Sequence, residues 1–146
     1  MVSPETKQIV LGSGQGSKIE GGIMEFYYCE HCGALYVKAN QVGNVTPVCC
    51  GEPTKKLTAN TTDAAVEKHV PVVTREGNKI SVVVGEAVHP MEENHFITMI
   101  AAVQGDKVQS VALKPGEEPK AVFFVEDGPV TVYEHCNKHG LWKAEA

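Results

Sequence analysis

Four of the chain's five cysteines fall between positions 29 and 50, inside a stretch from Glu25 to Leu57 that is too short to bury a core of its own. They come as Cys29-Glu30-His31-Cys32 with Gly33 behind, and as Cys49-Cys50 with Gly51 behind. A C-x-x-C turn lets two thiolates face one metal, and a small residue after it relieves crowding where backbone amides approach the sulfurs. The four sulfurs together fit a tetrahedral site for zinc or iron. Zinc ribbons use two relaxed C-x-x-C turns, whereas neighbouring cysteines on one metal distort the tetrahedron, which favours iron. A structural zinc site and free thiols in a loop are the plainer alternatives. His31 sits inside the turn, but four thiolates fill the shell, so it reads as an exposed bystander.

Composition bounds the rest. The 146 residues, 42% of them hydrophobic, allow one domain plus a small metal-stapled module. A net charge of -5, no long Lys/Arg run and an aromatic fraction of 6% argue against nucleic acid and anionic membranes as partners. No stretch is apolar enough to span a bilayer. The short run Ile9-Val10-Leu11 lacks a basic cluster before it and a cleavage site after it, so no secretory signal is read. A cytoplasmic location follows as the expectation, and in a reduced compartment clustered cysteines bind metal rather than pair. Residues 1–23, rich in Gly and Ser, read as a flexible N-terminal tail, with Met24 as a natural start.

Residues 58–66 read as a polar linker, and everything after them as β-rich. Val70–Thr74 and Ile80–Val84 flank a hairpin signal at 75–79, and Phe96–Val103 and Lys107–Leu113 flank another at 104–106. Ala121–Val125 and Val130–Tyr133 flank a third at Glu126-Asp127-Gly128-Pro129. Strands at this spacing, without helical periodicity, predict an all-β antiparallel sandwich.

Histidines and the fifth cysteine fall at the predicted strand ends. His69 opens a strand, His89 and His95 bracket a loop, and Cys136 and His139 share the last turn. Each alone is weak evidence, because single histidines at strand edges are more often filler than ligands. Their concentration where the loops of a sandwich converge is the stronger sign. Imidazole with thiolate suits a redox-capable iron, copper or zinc. A c-type haem motif lacks its second cysteine here. A blue-copper site uses fewer histidines and often an axial methionine, which does not follow His139.

From Met24 to Lys143 the chain resembles the desulfoferrodoxins, the two-iron superoxide reductases. The matching residues are Cys29-x-x-Cys32, Cys49-Cys50-Gly51-Glu52-Pro53, Glu67-Lys68-His69-Val70-Pro71 and His89-Pro90-Met91-Glu92-Glu93-x-His95. Leu113-Lys114-Pro115-Gly116 and Cys136-Asn137-x-His139-Gly140-x-Trp142 complete the set. The resemblance implies a desulforedoxin-like or rubredoxin-like module over 24–57 and an immunoglobulin-like superoxide reductase domain over 67–146. It implies one iron on Cys29, Cys32, Cys49 and Cys50. It places a second on His69, His89, His95 and His139 in a plane, with Cys136 axial and a sixth position open for superoxide. It also implies that Lys68 attracts the anion, that Glu67 occupies the open position of the oxidised site, that a rubredoxin-type protein donates electrons, and that the protein is a homodimer. His135 stands where the family has an aromatic residue.

The implied reaction is one-electron reduction of superoxide to hydrogen peroxide. Three alternatives remain at this point: an electron-transfer iron protein that binds no substrate, a zinc-stabilised interaction module, and a dismutase.

Overall fold

In a computed structural model, residues 24–40, 42–61, 66–85 and 89–146 are described. The proposed tail 1–23 and residues 62–65 of the proposed linker lie outside them. Among the described residues, twelve strands and one four-residue helical turn make up the regular structure, so the chain is all-β as its pattern predicts.

The cysteine-rich segment forms a small sheet and a short ribbon. β1 (Phe26–Tyr28) lies between β2 (Leu35–Val37) and β5 (Lys55–Leu57), all antiparallel, and a two-stranded ribbon joins β3 (Val48–Cys49) to β4 (Glu52–Pro53). The described start of the connector behind it, residues 58–61, is anchored through Asn60. Asn60, at φ 63°, donates from its backbone to Leu141 and pairs its side-chain amide with the Lys143 backbone in both directions, at 2.9 and 3.3 Å.

The helical turn α1 (Val66–His69) precedes β6 (Pro71–Glu76). His69 therefore ends a turn of helix instead of opening a strand, because the Val70 amide closes a bond back to Val66 at 3.0 Å before Pro71 forces the chain to extend. β6 forms a tight hairpin with β7 (Lys79–Val84), and β10 (Lys120–Phe124) completes a three-stranded sheet in the order β10-β7-β6. The facing sheet has the order β12-β11-β8-β9, with β8 (Ile97–Gln104), β9 (Lys107–Ala112), β11 (Thr131–Cys136) and β12 (Gly140–Glu145).

The third predicted hairpin is not one. β10 pairs with β7, whereas β11 pairs with β8 and β12, so residues 126–129 cross from one sheet to the other. Gln104 Nε2 gathers the carbonyls of this crossover, the shortest bond reaching Glu126 O at 2.8 Å. Local turn chemistry is the same for a hairpin and a crossover, so the pattern cannot separate them. β12, which follows no strand signal in the sequence, makes the turn holding Cys136 and His139 an internal hairpin.

Two cores explain the apolar runs. Ile80, Val82, Val84, Ile100, Ala102, Phe123, Val130 and Val132 fill the space between the sheets. On the outer face of the four-stranded sheet, Met99, Ala101, Val103, Tyr133 and Leu141 pack against Phe26, with Met24, Leu35 and Leu57 around it. β8 and β11 are thus covered on both faces, and every residue of β11 is buried. That is why β8 reads as a near-continuous apolar run without alternation.

Candidate metal centres

The first cluster is built by the turns of the small module. The Gly33 amide bonds to Cys29 O at 2.8 Å and the Cys29 amide to Ala34 O at 2.9 Å, closing the C-x-x-C turn, with Gly33 at φ 83°. Across from it Cys50 adopts φ 54° and Gly51 φ 79°, a sharp reversal that turns two adjacent sulfurs the same way. Cys32 Sγ lies 3.6 Å from Cys49 Sγ, which lies 4.0 Å from Cys50 Sγ, and all four sulfurs fall within 4.8 Å of one another. Their proton affinities diverge. Backbone amides of Cys32, and then of His31, hold Cys29 down to about 6 against opposing burial. Hydrogen bonds to Cys29, Cys32 and Cys49 push Cys50 up to about 12. Thiols this close cannot all ionise unless a cation compensates them, and four ionised sulfurs are what tetrahedral iron takes. The exposed His31 bonds to Glu52 at 2.6 Å, outside the cluster.

The second cluster lies where α1, the loop before β8 and the β11–β12 turn meet. His69, His89, His95 and His139 form a closed square. Successive ring centroids are 4.8, 4.9, 4.9 and 4.7 Å apart, with interplanar angles between 76° and 84°. Ring nitrogens turn inward: His69 Nε2 is 3.2 Å from His89 Nε2 and 3.0 Å from His139 Nδ1. His95 Nε2 is buried without a hydrogen-bond partner among the described residues. Cys136, fully buried, brings its sulfur to 3.9 Å from His139 Nδ1. The five ligand atoms lie within 4.8 Å of one another. A β-bulge between His135 and Cys136 re-aims the cysteine out of strand register into this square.

Each group is set for a cation. His89 bonds through Nδ1 to Pro90 O at 2.7 Å, which leaves the Nε2 lone pair facing inward. Burial lowers His89 to about 4, and burial, His139 and Lys138 lower His95, so both stay neutral donors. Burial raises the Cys136 thiol to about 11, opposed by the backbone amides of Lys138 and His139 aimed at it. An orphaned inward nitrogen, a square of lone pairs and a buried sulfur fit a mononuclear iron with five protein ligands.

All nine predicted ligands are therefore gathered into two clusters. Lys68 is exposed on α1 beside His69. The Glu67 side chain lies outside the described residues.

Several neighbours support the site in ways the sequence does not assign, although Asn137 and Trp142 lie in the matched motif and His135 marks a departure from it. Trp142 stacks on His69. Asn137 bonds to both sides of His95, accepting from Phe96 N at 2.9 Å and donating to Asn94 O at 3.1 Å. His135 points to the outer face, where Thr98 Oγ1 lies 2.7 Å from its Nδ1 and the Tyr28 ring packs against it at a tilt. Glu134, fully buried with no partner for either carboxylate oxygen among the described residues, is held well above the usual carboxylate range by burial.

The comparisons with known proteins agree with this architecture. The desulfoferrodoxin family model matches residues 61–145. The chain is 46% identical over 122 residues to a desulfoferrodoxin homologue of Archaeoglobus fulgidus, spanning 84% of this chain and 97% of that one. It is 45% identical over 122 residues to the desulfoferrodoxin of Nitratidesulfovibrio vulgaris, spanning 84% and 96%. Among solved structures it resembles the superoxide reductase from Treponema pallidum, with a TM-score of 0.68 and 29% identity over 84% of this chain and 99% of that one. With both metal clusters assembled and its relatives matched over nearly their whole length, the chain belongs to the desulfoferrodoxin family.

Proposed function

We propose that the four-histidine, one-cysteine centre reduces superoxide to hydrogen peroxide, consuming one electron and two protons per superoxide. The observation that carries this reading is the inward square of imidazoles over a buried thiol. Iron held there would supply the electron, cycling between its ferrous and ferric states.

The chain's own residues do the rest. Four neutral imidazoles and one thiolate leave a divalent ion with a formal charge of +1, which favours an anionic substrate although the chain is acidic overall. Lys68 and Lys138, both exposed beside ligands, add local positive potential that speeds encounter. Cys136 is closed off from water, whereas His95 and His139 are only half-buried, so solvent meets the site on the histidine side. Protons for the product come from that side. Glu67, on the same helical turn as Lys68, is proposed to close the oxidised site after product leaves. The superoxide reductase from Treponema pallidum, similar in fold and at 29% identity, supports the assignment.

Azide added to the oxidised, iron-loaded protein tests it. The broad red-region band of a thiolate–ferric centre should shift with azide and be missing from a Cys136→Ser variant. A band that azide leaves untouched would favour an electron-transfer protein that binds no substrate.

A further inference from the structure

The two clusters are joined by a ring contact that neither the packing of the sandwich nor the proposed reaction requires. β1 of the cysteine module lies across the outer face of β11. Phe26 meets Tyr133 with centroids 4.9 Å apart, and two residues further along both strands Tyr28 meets His135 at 5.0 Å, with planes inclined 47°. The residue after Tyr28 is Cys29, and the residue after His135 is Cys136. A single pair of touching rings is thus flanked on each side, one peptide unit away, by a ligand of a different metal cluster.

Further contacts fix the pair. Tyr28 Oη reaches Asn137 O, on the far side of Cys136, at 3.5 Å. His135 is buried, and Thr98 Oγ1 at 2.7 Å from Nδ1 sets its ring orientation. Tyr28 also lies within electrostatic reach of Cys136 on one side and of Cys29 and Cys32 on the other. The clusters differ in access: Cys32 and Cys50 are exposed, whereas Cys136 is fully buried. A protein-sized electron donor can approach the sulfurs of the first cluster, and it cannot approach the sulfur of the second.

We propose that the Tyr28–His135 contact is an intra-chain electron route from the four-cysteine centre to the thiolate of the histidine centre. The proposal rests on the superoxide reductase reading of the second centre. With iron held by both ligand sets, a ferrous ion on the four cysteines would give up one electron and a ferric ion on the four histidines and Cys136 would accept it. No bond forms or breaks and no proton moves. Neither ring is oxidised. Together they replace a wide gap by bonded atoms and one van der Waals contact, through which tunnelling decays less. An external one-electron donor protein then refills the exposed cysteine site.

Flash photoreduction of the full iron-loaded chain by a flavin semiquinone, with fewer electrons than chains, tests the route. The cysteine-site band should bleach first and recover as the histidine–thiolate band bleaches, in a first-order phase whose rate is unchanged on dilution. In Tyr28→Ala that second phase should be lost from the time window, while Tyr28→Phe, which keeps the ring, should retain it. Tyr28→Val makes the same comparison if the alanine variant loads iron poorly. Midpoint potentials of both sites, measured by spectroelectrochemistry, should be unchanged in every variant, so that driving force is not the cause. A wild-type rate in Tyr28→Ala, a rate proportional to protein concentration, or no internal phase in the wild type would overturn the route. A histidine site that does not react with superoxide would instead fail the reading beneath it.

Discussion

His69 and Trp142 lie face to face, ring centroids 5.1 Å apart and planes 22° from parallel, and the indole Nε1 donates to His139 O at 2.9 Å. One buried tryptophan on β12 therefore braces two members of the histidine square, one by its ring face and one by a hydrogen bond. This explains why Trp142 is held at 2% exposure with its polar atom satisfied. Trp142→Leu removes both supports. The metal-free protein should lose about 3 kcal/mol of stability, and the loaded protein should release iron to a chelator faster, with its charge-transfer band displaced. Trp142→Phe, which keeps the stacked ring but not the bond to His139, should fall between the two.

Asn137 links the Cys136–His139 turn to the loop carrying His95 through two side-chain hydrogen bonds and a backbone bond to Phe96 O at 3.2 Å. Loss of such outer partners weakens metal binding by roughly 10–100-fold, and Asn137→Ala should do so here. Asn137→Asp keeps the acceptor for Phe96 N and loses the donor to Asn94, so it should recover part of the affinity. Equilibrium competition with a chromogenic chelator reads both. Equal affinity in all three proteins would remove Asn137 from the support of the site.

How far these centres could be read in the sequence follows from the range of the signals. Eight of the nine ligands were legible as local pairs, Cys29 with Cys32, Cys49 with Cys50, His89 with His95 and Cys136 with His139, while His69 stands alone in the chain. The all-β class was legible from strand runs and two true hairpins, β6–β7 and β8–β9. What escaped depends on partners distant in the chain. Residues 126–129 carry hairpin chemistry, yet Gln104 and the sheet order make them a crossover. Trp142 and Tyr28 look like ordinary core residues until the fold brings them to His69 and His135. His69 took a helical turn because a bond from Val70 to Val66 outweighed the extended preference around Pro71.

The buried histidines set an acid limit. Burial lowers His89 and His135 from the ordinary 6.5 to about 4 in the folded, metal-free chain. The unfolded chain therefore binds more protons than the folded one between those values. The stability these two neutral rings contribute is complete above pH 6.5 and is lost as pH falls towards 4, by up to roughly 3 kcal/mol for each fully realised shift. Urea unfolding of the metal-free protein at a series of pH values should show its midpoint falling across that window and levelling below it. His135→Phe should shallow the slope, and an unchanged slope would contradict the assignment.

Lys68 stands one residue before His69, and Lys138 one before His139. Replacing either with Ala should slow the second-order reaction with superoxide and flatten its dependence on ionic strength, with the double variant slowest. The first-order step after encounter should be unaffected. Pulse radiolysis at several salt concentrations measures both steps. A rate constant that no substitution alters would take these lysines out of the encounter.

Anaerobically reduced, iron-loaded protein mixed with one equivalent of superoxide per histidine centre gives the most direct answer, with hydrogen peroxide and dioxygen both quantified. One hydrogen peroxide should form for each centre oxidised, with no dioxygen released. Dioxygen in step with peroxide, or a centre that stays ferrous while superoxide decays at its spontaneous rate, would contradict the account.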